Sequence, residues 1–475
     1  MKTQDLNNLL GTTSGNGSEM DKVVEQLMVS DIRGIPVWDD LLKEYNPMEH
    51  DIIKDTTKYP PSRTKTGADK LPRIPIGLQK LTTKRLAQAM FSQPVTRNYI
   101  YGIEKNDTTA IATKCLETLI VGSGLNNINI ERAKALNASC QVVTVWRVIP
   151  TPKPYKLMGK DVKFKLKAEH YSPLQGNKLY PQLDENGLMN CVSIQSEVKT
   201  TDDTITYLDT YTDTKYIRFV KNGEHWTVDI TKELSFQPCT FIYKTEPGWG
   251  GKENTILVDS IESLVSKNAF YIDENAKPNF SVYRGEGKTA KSTKVEGEDS
   301  TGQPQSEARG VYELGKDGFV KEITWEGANA ATESQYKNLR NSFFEQTQIP
   351  DISFSNLMAS HTSADNKEIM FTDVKAKALD EAGEWEAMFM EENDIIKKFA
   401  STILPDFAPI YDSTLIETKI NPYAVNSKKE IAEYVAGAGS AMSLRTKITL
   451  LNEAEDVDEE IQAIKEDQSF DSNNI

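Results

Sequence analysis

The sequence predicts an α+β fold, with helices towards both ends of the chain and a strand-rich middle. Three observations predict this class. Two amphipathic helices of very unequal length occupy residues 327–403. The apolar residues of 140–230 alternate or cluster with the period of strands. A short strand-forming segment, at residues 279–325, lies between two helical stretches.

The N-terminal region from 21 to 101 is predicted to be mainly helical, with an irregular middle at its prolines. Its best helix follows Arg73 and ends before Pro94, because proline cannot continue a helix. Two further helices are expected over 108–121 and 130–138. Residues 1–20 are rich in Gly, Ser, Thr and Asn, and we expect them to form a disordered tail. The apolar face of the best helix consists of Leu78, Leu81, Leu86, Met90 and Phe91.

Strands are expected from Cys140 onward, where the apolar period changes. The clearest hairpin spans 216–230. Asn222 and Gly223 tolerate the positive φ angles of a tight primed turn, so the turn is placed on these two residues. The flanking strands of this hairpin are supplied by Ile217, Phe219, Trp226, Val228 and Ile230.

A helix is predicted over 253–276, because proline at 278 ends an amphipathic stretch. Short strands at 279–283, 310–314 and 319–325 form a small β module after it. Between the first two strands, residues 285–307 contain Val295 as their only large apolar residue. So polar a segment cannot bury enough surface to order itself strongly, and we expect a flexible surface loop.

The longest predicted helix starts at a capping box of Thr362 with Asp365 and ends at Pro405. About forty residues at about 1.5 Å each make a rod of about 60 Å. A rod this long spans a domain or packs against other subunits, but a long core helix of a globular enzyme has the same periodicity, and both interpretations stay open. A shorter helix precedes it, carries Tyr336, Leu339 and Phe343, and ends at Pro350. The stripe of the long helix consists of Phe371, Val374, Ala378, Ala382, Trp385, Phe389, Ile396, Phe399 and Ile403.

Three short helices are expected in the C-terminal region after residue 425. The first ends near Gly437, the second runs over 443–451, and the third is acidic. Their signals are the caps Ser427 with Glu430 and Ser443, and the apolar residues Val457, Ile461 and Ile464.

Composition narrows the function classes. The 475 residues suffice for two to four domains. No run of eighteen apolar residues occurs, so a membrane span is not expected. A formal net charge of −15 argues against a protein that grips nucleic acid through a basic face, although it does not forbid contact with DNA. Scattered cysteines without metal-ligand spacing are expected to be reduced, and they are Cys115, Cys140, Cys191 and Cys239.

Residues 248–255 resemble a phosphate-binding loop between a strand and a helix. The motif fails because Glu246 stands where a glycine is needed and Glu253 stands where a magnesium-binding hydroxyl is needed. We therefore expect a glycine turn that leads into a helix.

Metal and catalytic motifs are also missing from the sequence. None of His50, His170, His225 and His361 has a second histidine or a cysteine three or four residues away, which is the helical spacing that zinc sites use. The acidic clusters at 202–203 and 391–394 are expected to be solvated faces rather than nuclease metal sites. No catalytic, cofactor-binding or metal-binding residue is therefore predicted.

The chain carries, in this order, residues 73–76 with 93–95, 258–264, 349–351 with 363–366, and 443–446 with 456–460. In this order these segments resemble the portal proteins of tailed bacteriophages. Residues 73–76, which lead into a helix before 93–95, are similar to the early portal pattern. Residues 258–264 are similar to the start of the family's first stem helix. The resemblance covers residues 35–467 and rests on this shared order, because each motif is weak alone.

Two later segments extend the resemblance. Residues 349–351 and 363–366 are similar to the passage from the family's loop into its long wing helix, although Ala364 stands where the family usually has glycine. The stretches 443–446 and 456–460 are similar to the ending of the family's crown.

The resemblance implies a portal fold with an α/β wing, a two-helix stem, a small β clip, a very long wing helix and a helical C-terminal crown. The implied divisions are wing 21–252, stem 253–278 and 327–348, clip 279–326, tunnel loop 349–362, wing again 363–424, and crown with tail 425–475.

It also implies a function without catalysis or cofactors. Portal proteins form a dodecameric ring at one capsid vertex, through which terminase packages double-stranded DNA and through which the DNA later leaves. The implied partners are further copies of the chain, the terminase large subunit, head-completion or adaptor proteins, major capsid and scaffold proteins, and DNA without sequence specificity. No membrane is involved, and the implied location is the virion, after assembly in the host cytoplasm.

The resemblance also points to three groups of site residues. The tunnel loop facing DNA would present Asn356, Leu357, Met358, Ser360, His361 and Thr362. Partner binding by the clip would use Arg284, Lys288, Lys291 and Lys294. Subunit packing would involve Trp385 and Phe389.

Two other classes remain as alternatives. One is a packaging-associated ATPase or nuclease, which the broken phosphate loop and the missing metal ligands oppose. The other is a monomeric surface-binding protein with a β domain. Only the portal interpretation requires a closed ring.

Overall fold

A computed structural model describes residues 10, 17–59, 72–199, 204–275, 280–283, 317, 319–322, 328–351, 364–422, 428–451 and 457–472. The chain divides into two compact units. The first unit consists of Met1–Tyr45, Gly77–Gly251 and Phe344–Ile475, and the second of Asn46–Ile76 and Lys252–Phe343. The chain therefore leaves the first unit at Gly251 and re-enters it at Phe344.

The helices and strands are numbered along the chain. The helices are α1 Gly17–Leu27, α2 Trp38–Tyr45, α3 Asp51–Lys54, α4 Leu78–Phe91, α5 Asp107–Gly122, α6 Leu125–Ser139, α7 Lys252–Asn275, α8 Ala328–Thr347, α9 Ala364–Ile403, α10 Ala408–Asp412, α11 Lys428–Gly437, α12 Leu444–Leu451 and α13 Val457–Ser472. The strands are β1 Thr96–Tyr101, β2 Gln141–Leu157, β3 Lys160–Tyr171, β4 Lys178–Leu183, β5 Met189–Lys199, β6 Thr204–Thr212, β7 Lys215–Asn222, β8 His225–Glu233, β9 Cys239–Tyr243, β10 Phe280–Tyr283, β11 Phe319–Glu322 and β12 Thr414–Lys419.

The first unit contains a three-stranded sheet of order β3-β2-β9 and a five-stranded sheet of order β4-β5-β6-β7-β8. Neighbouring strands in both sheets are antiparallel. Val162, Leu166 and Ala168 of β3 are buried and Phe164 is exposed, so the half-buried alternation that the sequence predicted for this part of the chain holds except at Phe164. One core cluster packs Trp146 of β2 against Ile396 of α9 and Leu116 of α5.

The predicted hairpin of 216–230 is confirmed as β7 and β8, but its turn lies one residue later than expected. Asn222 pairs with His225, so Gly223 and Glu224 form the turn. Of these two residues, only Gly223 has a positive φ, at 71°. One glycine at the first turn position is sufficient to reverse the chain, and Asn222 stays in the strand.

Strand β1 lies in a region that the sequence predicted to be mainly helical. It pairs antiparallel with β12, and Thr96 lies opposite Lys419. The side chains of β1 alternate between exposed and half-buried. No local pattern reveals this pairing, because the two strands are separated by more than three hundred residues of sequence.

The N-terminal segment corrects a second expectation, that residues 1–20 form a disordered tail. Residues 17–20 belong to α1. Met20, Val23 and Leu27 recur at helical spacing and are buried against the five-stranded sheet, where they pack with Phe219 and with Leu10. The composition of residues 1–20 concealed the start of this apolar face, because Gly, Ser, Thr and Asn together outnumber the apolar side chains there.

The second unit contains α7, the pairing of β10 with β11 and most of α8. The predicted helix at 253–276 and the strands at 279–283 and 319–325 are confirmed within a few residues, whereas 310–314 and 285–307 lie outside the described residues. Residues 46–76, which the sequence placed in the wing, belong to this unit. Buried Glu262 of α7 explains the placement, because its Oε1 accepts a hydrogen bond of 2.6 Å from the Ile76 amide and lies 2.6 Å from Nδ1 of His50.

The long helix is confirmed as α9, with 40 residues. Its predicted stripe is buried along most of its length, from Val374 to Ile396. The three C-terminal helices are confirmed as α11, α12 and α13, and Oγ of Ser443 accepts a hydrogen bond of 3.2 Å from the Thr446 amide at the start of α12. The predicted caps Thr362 and Ser427 lie outside the described residues. In the described part of the chain, no helix has the length and apolarity to cross a membrane.

Candidate functional site on the long helix

Two aromatic side chains anchor the middle of α9 in the first unit. Trp385 and Phe389 are each 1% exposed. The ring of Phe91, from α4, meets Trp385 edge-on at a centroid distance of 4.8 Å and Phe389 at 6.3 Å. Perpendicular contacts of this kind are favourable for aromatic pairs beyond the area that they bury.

A buried ion pair lies beside these rings. Arg132, from α6, donates two parallel hydrogen bonds to the carboxylate of Glu392, of 2.7 and 2.9 Å. Both side chains are at most 1% exposed. The guanidinium also lies 5.5 Å from the Trp385 ring and 5.4 Å from the Phe389 ring, within the range of cation–π attraction. The two buried charges therefore offset each other, and the aromatic faces further stabilise the guanidinium of Arg132.

A second arginine, Arg97 of β1, adds positive charge to this region. Burial lowers the pKa of Arg97, and the negative charge of Glu392 opposes that lowering. One carboxylate therefore acts on two guanidinium groups, the buried one of Arg132 and the half-buried one of Arg97, and its hydrogen bonds go to Arg132.

Lys377 lies nearer the start of α9 and joins the two passages of the chain through the first unit. Its Nζ donates hydrogen bonds to the carbonyl oxygens of Gly248, at 3.1 Å, and Thr347, at 2.9 Å. Gly248 stands just before the chain leaves the unit, and Thr347 stands just after it returns. Burial lowers the pKa of Lys377 to about 8, and the nearby charge of Glu381 opposes the effect.

The glycine turn at 248–251 packs closely against α6. A Cβ added to Gly248 would meet Cβ of Asn137 at 2.8 Å, a distance that real side chains do not adopt. The Gly248 amide donates a hydrogen bond of 2.7 Å to the Asn137 carbonyl. Lys244 binds the Asn137 side chain at 3.0 Å and the carboxylate of Glu381 at 2.6 Å. The turn leads into α7, as the sequence predicted, and the close approach of Gly248 to Asn137, which the sequence did not predict, explains the glycine.

The solvent side of α9 is apolar in places. Leu379 is 53% exposed and Met390 is 55% exposed, although both belong to a helix whose other face forms the core. A groove of about 340 Å³ runs along a different side of the helix, beside strand β9. Its lining includes Tyr243, Glu384, Glu391 and Lys244, and Lys244 is paired with Glu381.

The structure describes only some of the residues that the sequence proposed for sites. The tunnel-loop residues Asn356, Leu357, Met358, Ser360, His361 and Thr362 lie outside the described residues, and so do Arg284, Lys288, Lys291 and Lys294 of the proposed clip surface. Trp385 and Phe389 are buried by the chain's own core, without a second subunit. Their part in subunit packing stays a prediction.

The expectation that the acidic cluster at 391–394 is a solvated face is wrong for one of its members. Glu391 and Asp394 are exposed, but Glu392 is 1% exposed. A signal was present, because Glu392 is seven residues after Trp385 and therefore falls on the same helical stripe. Arg132 and Lys377 had no comparable signal, because the partners that hold them are distant in sequence.

The described residues contain no arrangement typical of a catalytic centre. Within them, no group of three or more His, Cys, Asp or Glu side chains is placed to hold a metal ion. All four cysteines are buried and free of disulfides. Burial raises the pKa of Cys140 and Cys191 to about 12, so neither is a reactive thiolate near neutral pH.

The chain matches one protein-family model, described as phage portal protein, SPP1 Gp6-like, over residues 35–473. No curated protein matches the chain. Among solved structures, the chain is similar to one titled "Virion of native gene transfer agent (GTA) particle", with 10% sequence identity over 90% of this chain and 98% of that chain. The TM-score of this similarity is 0.37.

Proposed function

Because the chain belongs to the SPP1 Gp6-like family of phage portal proteins, we propose that it forms a dodecameric ring at one vertex of a phage capsid. The ring is the conduit through which terminase packages double-stranded DNA and through which the DNA is ejected. It is also the platform for head-tail connector proteins. The family is structural, and the chain acts by assembly and not by catalysis.

The order of helices and strands from α7 to α9 supports the proposal in addition to the family match. Helix α7, the strand pair β10 with β11, and helix α8 form one excursion that leaves the first unit at Gly251 and returns at Phe344. The 40-residue helix α9 then follows, about 60 Å long. This order supports a two-helix stem with a small β clip at its far end, followed by a long wing helix.

Exposed apolar side chains support assembly with further copies. In the second unit, α7 exposes Ile256 to 63%, Tyr271 to 56% and Ile272 to 55%. In the first unit, α9 exposes Leu379 and Met390. We propose that further copies of the chain cover these side chains. A ring of head-to-tail contacts would cover them without a two-fold axis.

We assign the proposed parts of the portal by their residues. The stem is 253–278 with 327–348, and the clip is 279–326, which meets terminase during packaging and adaptor proteins afterwards. The tunnel loop is 349–362, and its side chains from Asn356 to Thr362 face the DNA. Arg284, Lys288, Lys291 and Lys294 give the clip a basic partner-binding surface, and 425–475 forms the crown.

Electron microscopy of the purified protein tests this function. The proposal requires closed rings with a central hole, and class averages should show one dominant rotational symmetry. A population of monomers at micromolar concentration, without rings, would contradict it. The same sample separates the alternatives. A monomeric β protein would form no ring, and a packaging ATPase without the portal fold would have no stem that projects from a ring.

A further inference from the structure

Positive charge is concentrated on the hairpin of β2 and β3. Residues 153–167 contain six lysines and one aspartate, Asp161. This segment therefore carries +5 in a chain whose formal net charge is −15, which leaves −20 for all other residues. Such separation of charge within one chain distinguishes this hairpin from the rest of the surface.

The lysines of β3 line one face of the strand. Lys163, Lys165 and Lys167 are exposed, and of the residues with the opposite orientation Val162 and Leu166 are buried, whereas Phe164 is 44% exposed. Alternate residues of a strand are about 7 Å apart, so the three ammonium groups form an evenly spaced row. Strand β3 is an edge strand of its sheet, and Lys156 of β2 lies on the same face, opposite Asp161.

Some of these lysines already have partners within the chain. Lys160 binds Asp406 at 2.5 Å, and Lys167 pairs with Glu169. Lys156 is opposite Asp161 in the strand ladder, but among the described residues no carboxylate lies within ion-pair distance of the ammonium group of Lys156, Lys163 or Lys165. We name these three residues the lysine face.

The same chain carries a complementary surface on the solvent side of α9. Four exposed carboxylates are separated by seven, four and seven residues, which places them within about 20° of one line along the helix. The line is about 27 Å long. In the described part of the chain, no lysine, arginine or histidine pairs with any of them. We name this set the acidic line, and it consists of Asp373, Asp380, Glu384 and Glu391.

The environment of Glu391 shows that one member of the acidic line lacks a cation. Its carboxyl group borders the groove beside β9, and partial burial there raises its pKa, as does the charge of Asp394. A neighbouring ammonium group would oppose both effects. Glu384 borders the same groove.

We propose that the lysine face of one copy of the chain docks against the acidic line of a neighbouring copy. This inference rests on the proposed ring, in which each head-to-tail contact joins two different surfaces of the same chain. Copies with a charge of −15 repel one another unless opposite patches meet. Complementary patches also orient the approach of the next copy and raise its association rate.

A simpler role for the lysines would be protection of an edge strand. Charged side chains on an edge prevent another strand from pairing with it. That role is indifferent to the sign of the charge, because glutamate is as well solvated as lysine. Reversal of the charge therefore separates protection from docking.

The test compares four variants with the wild-type chain. The first carries Lys163→Glu and Lys165→Glu, the second carries Asp380→Lys and Glu384→Lys, and the third combines all four substitutions. The matched control carries Lys199→Glu and Lys232→Glu, at exposed lysines of β5 and β8. Circular dichroism of each monomer confirms the fold, and sedimentation measures the concentration at half-assembly in low and high salt.

We expect each double reversal to raise the concentration at half-assembly by about tenfold relative to the control, because several exposed charge pairs are lost per contact. The combined variant should return close to the wild-type value. High salt should reduce the differences, because it screens exposed charges.

Normal assembly of the first variant would overturn the inference, as would a combined variant no better than either double reversal. If the first variant assembled normally but lost affinity for duplex DNA, the lysine face would bind nucleic acid instead. None of these outcomes would contradict the proposed ring. A wild-type chain that formed no rings would overturn the proposed function itself, and the inference with it.

Discussion

Lys377 and Thr347 are joined by a hydrogen bond of 2.9 Å, which the ammonium of α9 donates to the last carbonyl of α8. The same ammonium donates to the carbonyl of Gly248 at 3.1 Å. One side chain therefore fixes both passages of the chain, the one that leaves the first unit and the one that returns to it. The side chain of Lys377 is half-buried.

The pKa of Lys377 predicts how stability changes with pH. Burial lowers this pKa from 10.5 to about 8, so between these values the unfolded chain binds more protons than the folded chain. The contribution of Lys377 to the free energy of unfolding therefore increases by up to about 3 kcal/mol as pH rises from about 8 towards 10.5. The variant Lys377→Met should lack this gain, which urea denaturation of both proteins at pH 7.5, 8.5 and 9.5 measures.

The matched control for this prediction is Lys114→Met, at an exposed lysine of α5. Its stability difference from the wild type should not change over the same pH range. Tyrosines and cysteines also titrate at high pH, but they do so in every variant and cancel in the comparison. A Lys377→Met difference that stayed constant with pH would show that the ammonium is not buried.

Because Arg132 and Glu392 form a buried ion pair, we predict that the effects of their mutations on the free energy of unfolding are not additive. Removal of one partner leaves the other charge buried alone, which costs about 3 to 5 kcal/mol in the free energy of unfolding. Arg132→Met and Glu392→Leu should each have this effect, whereas the double variant should recover most of the loss. Chemical denaturation of the three variants measures it.

The exposed pair of Lys134 with Glu131 on the same helix is the control for the buried pair. Its removal by alanine substitutions should cost at most about 1 kcal/mol. If the double variant of Arg132 and Glu392 lost as much as the two single variants together, the pair would not be coupled as the structure shows.

The aromatic anchors predict a large loss of stability. Trp385→Ala and Phe389→Ala each remove a side chain that is 1% exposed, and substitutions of this kind cost about 3 to 5 kcal/mol each. The double variant should unfold at much lower denaturant concentration and fail to assemble. Met390→Ala, at a 55% exposed position of the same helix, should leave stability almost unchanged. Rings of normal stability from the double variant would contradict the packing of α9.

We predict that the proposed tunnel loop, residues 349–362, makes only weak contacts with DNA. Between Arg340 and Lys367 the sequence contains no lysine or arginine, so the loop offers phosphates no strong cationic partner. Purified rings should therefore bind linear duplex DNA poorly at about 0.15 M salt. Asn356→Lys with Ser360→Lys should strengthen DNA retention in a filter-binding assay, whereas Asn126→Lys with Asn127→Lys, on α6, adds the same charge elsewhere. Tight and steeply salt-dependent binding by the unmodified ring would rule out a low-friction channel.

Local patterns predicted the elements that depend on local physics. The 40-residue helix follows from an apolar stripe between two prolines, and the hairpin of β7 and β8 follows from alternation around Gly223. What the sequence could not predict depends on distant partners. Strand β1 is a strand because β12 pairs with it, and Glu392 is buried because Arg132 reaches it from another helix. The sequence could not predict that Lys377 joins Gly248 and Thr347, because these residues are also distant from it along the chain.

The position of the protein in the virion tests the central claim most directly. Cryo-electron microscopy of intact phage particles, reconstructed without imposed symmetry, would locate the chain and count its copies. We predict twelve copies in one ring at a single vertex, with the packaged DNA aligned on its central hole and α7 and α8 directed away from the capsid interior. The account would be contradicted if the chain were absent from the particle or repeated over many vertices.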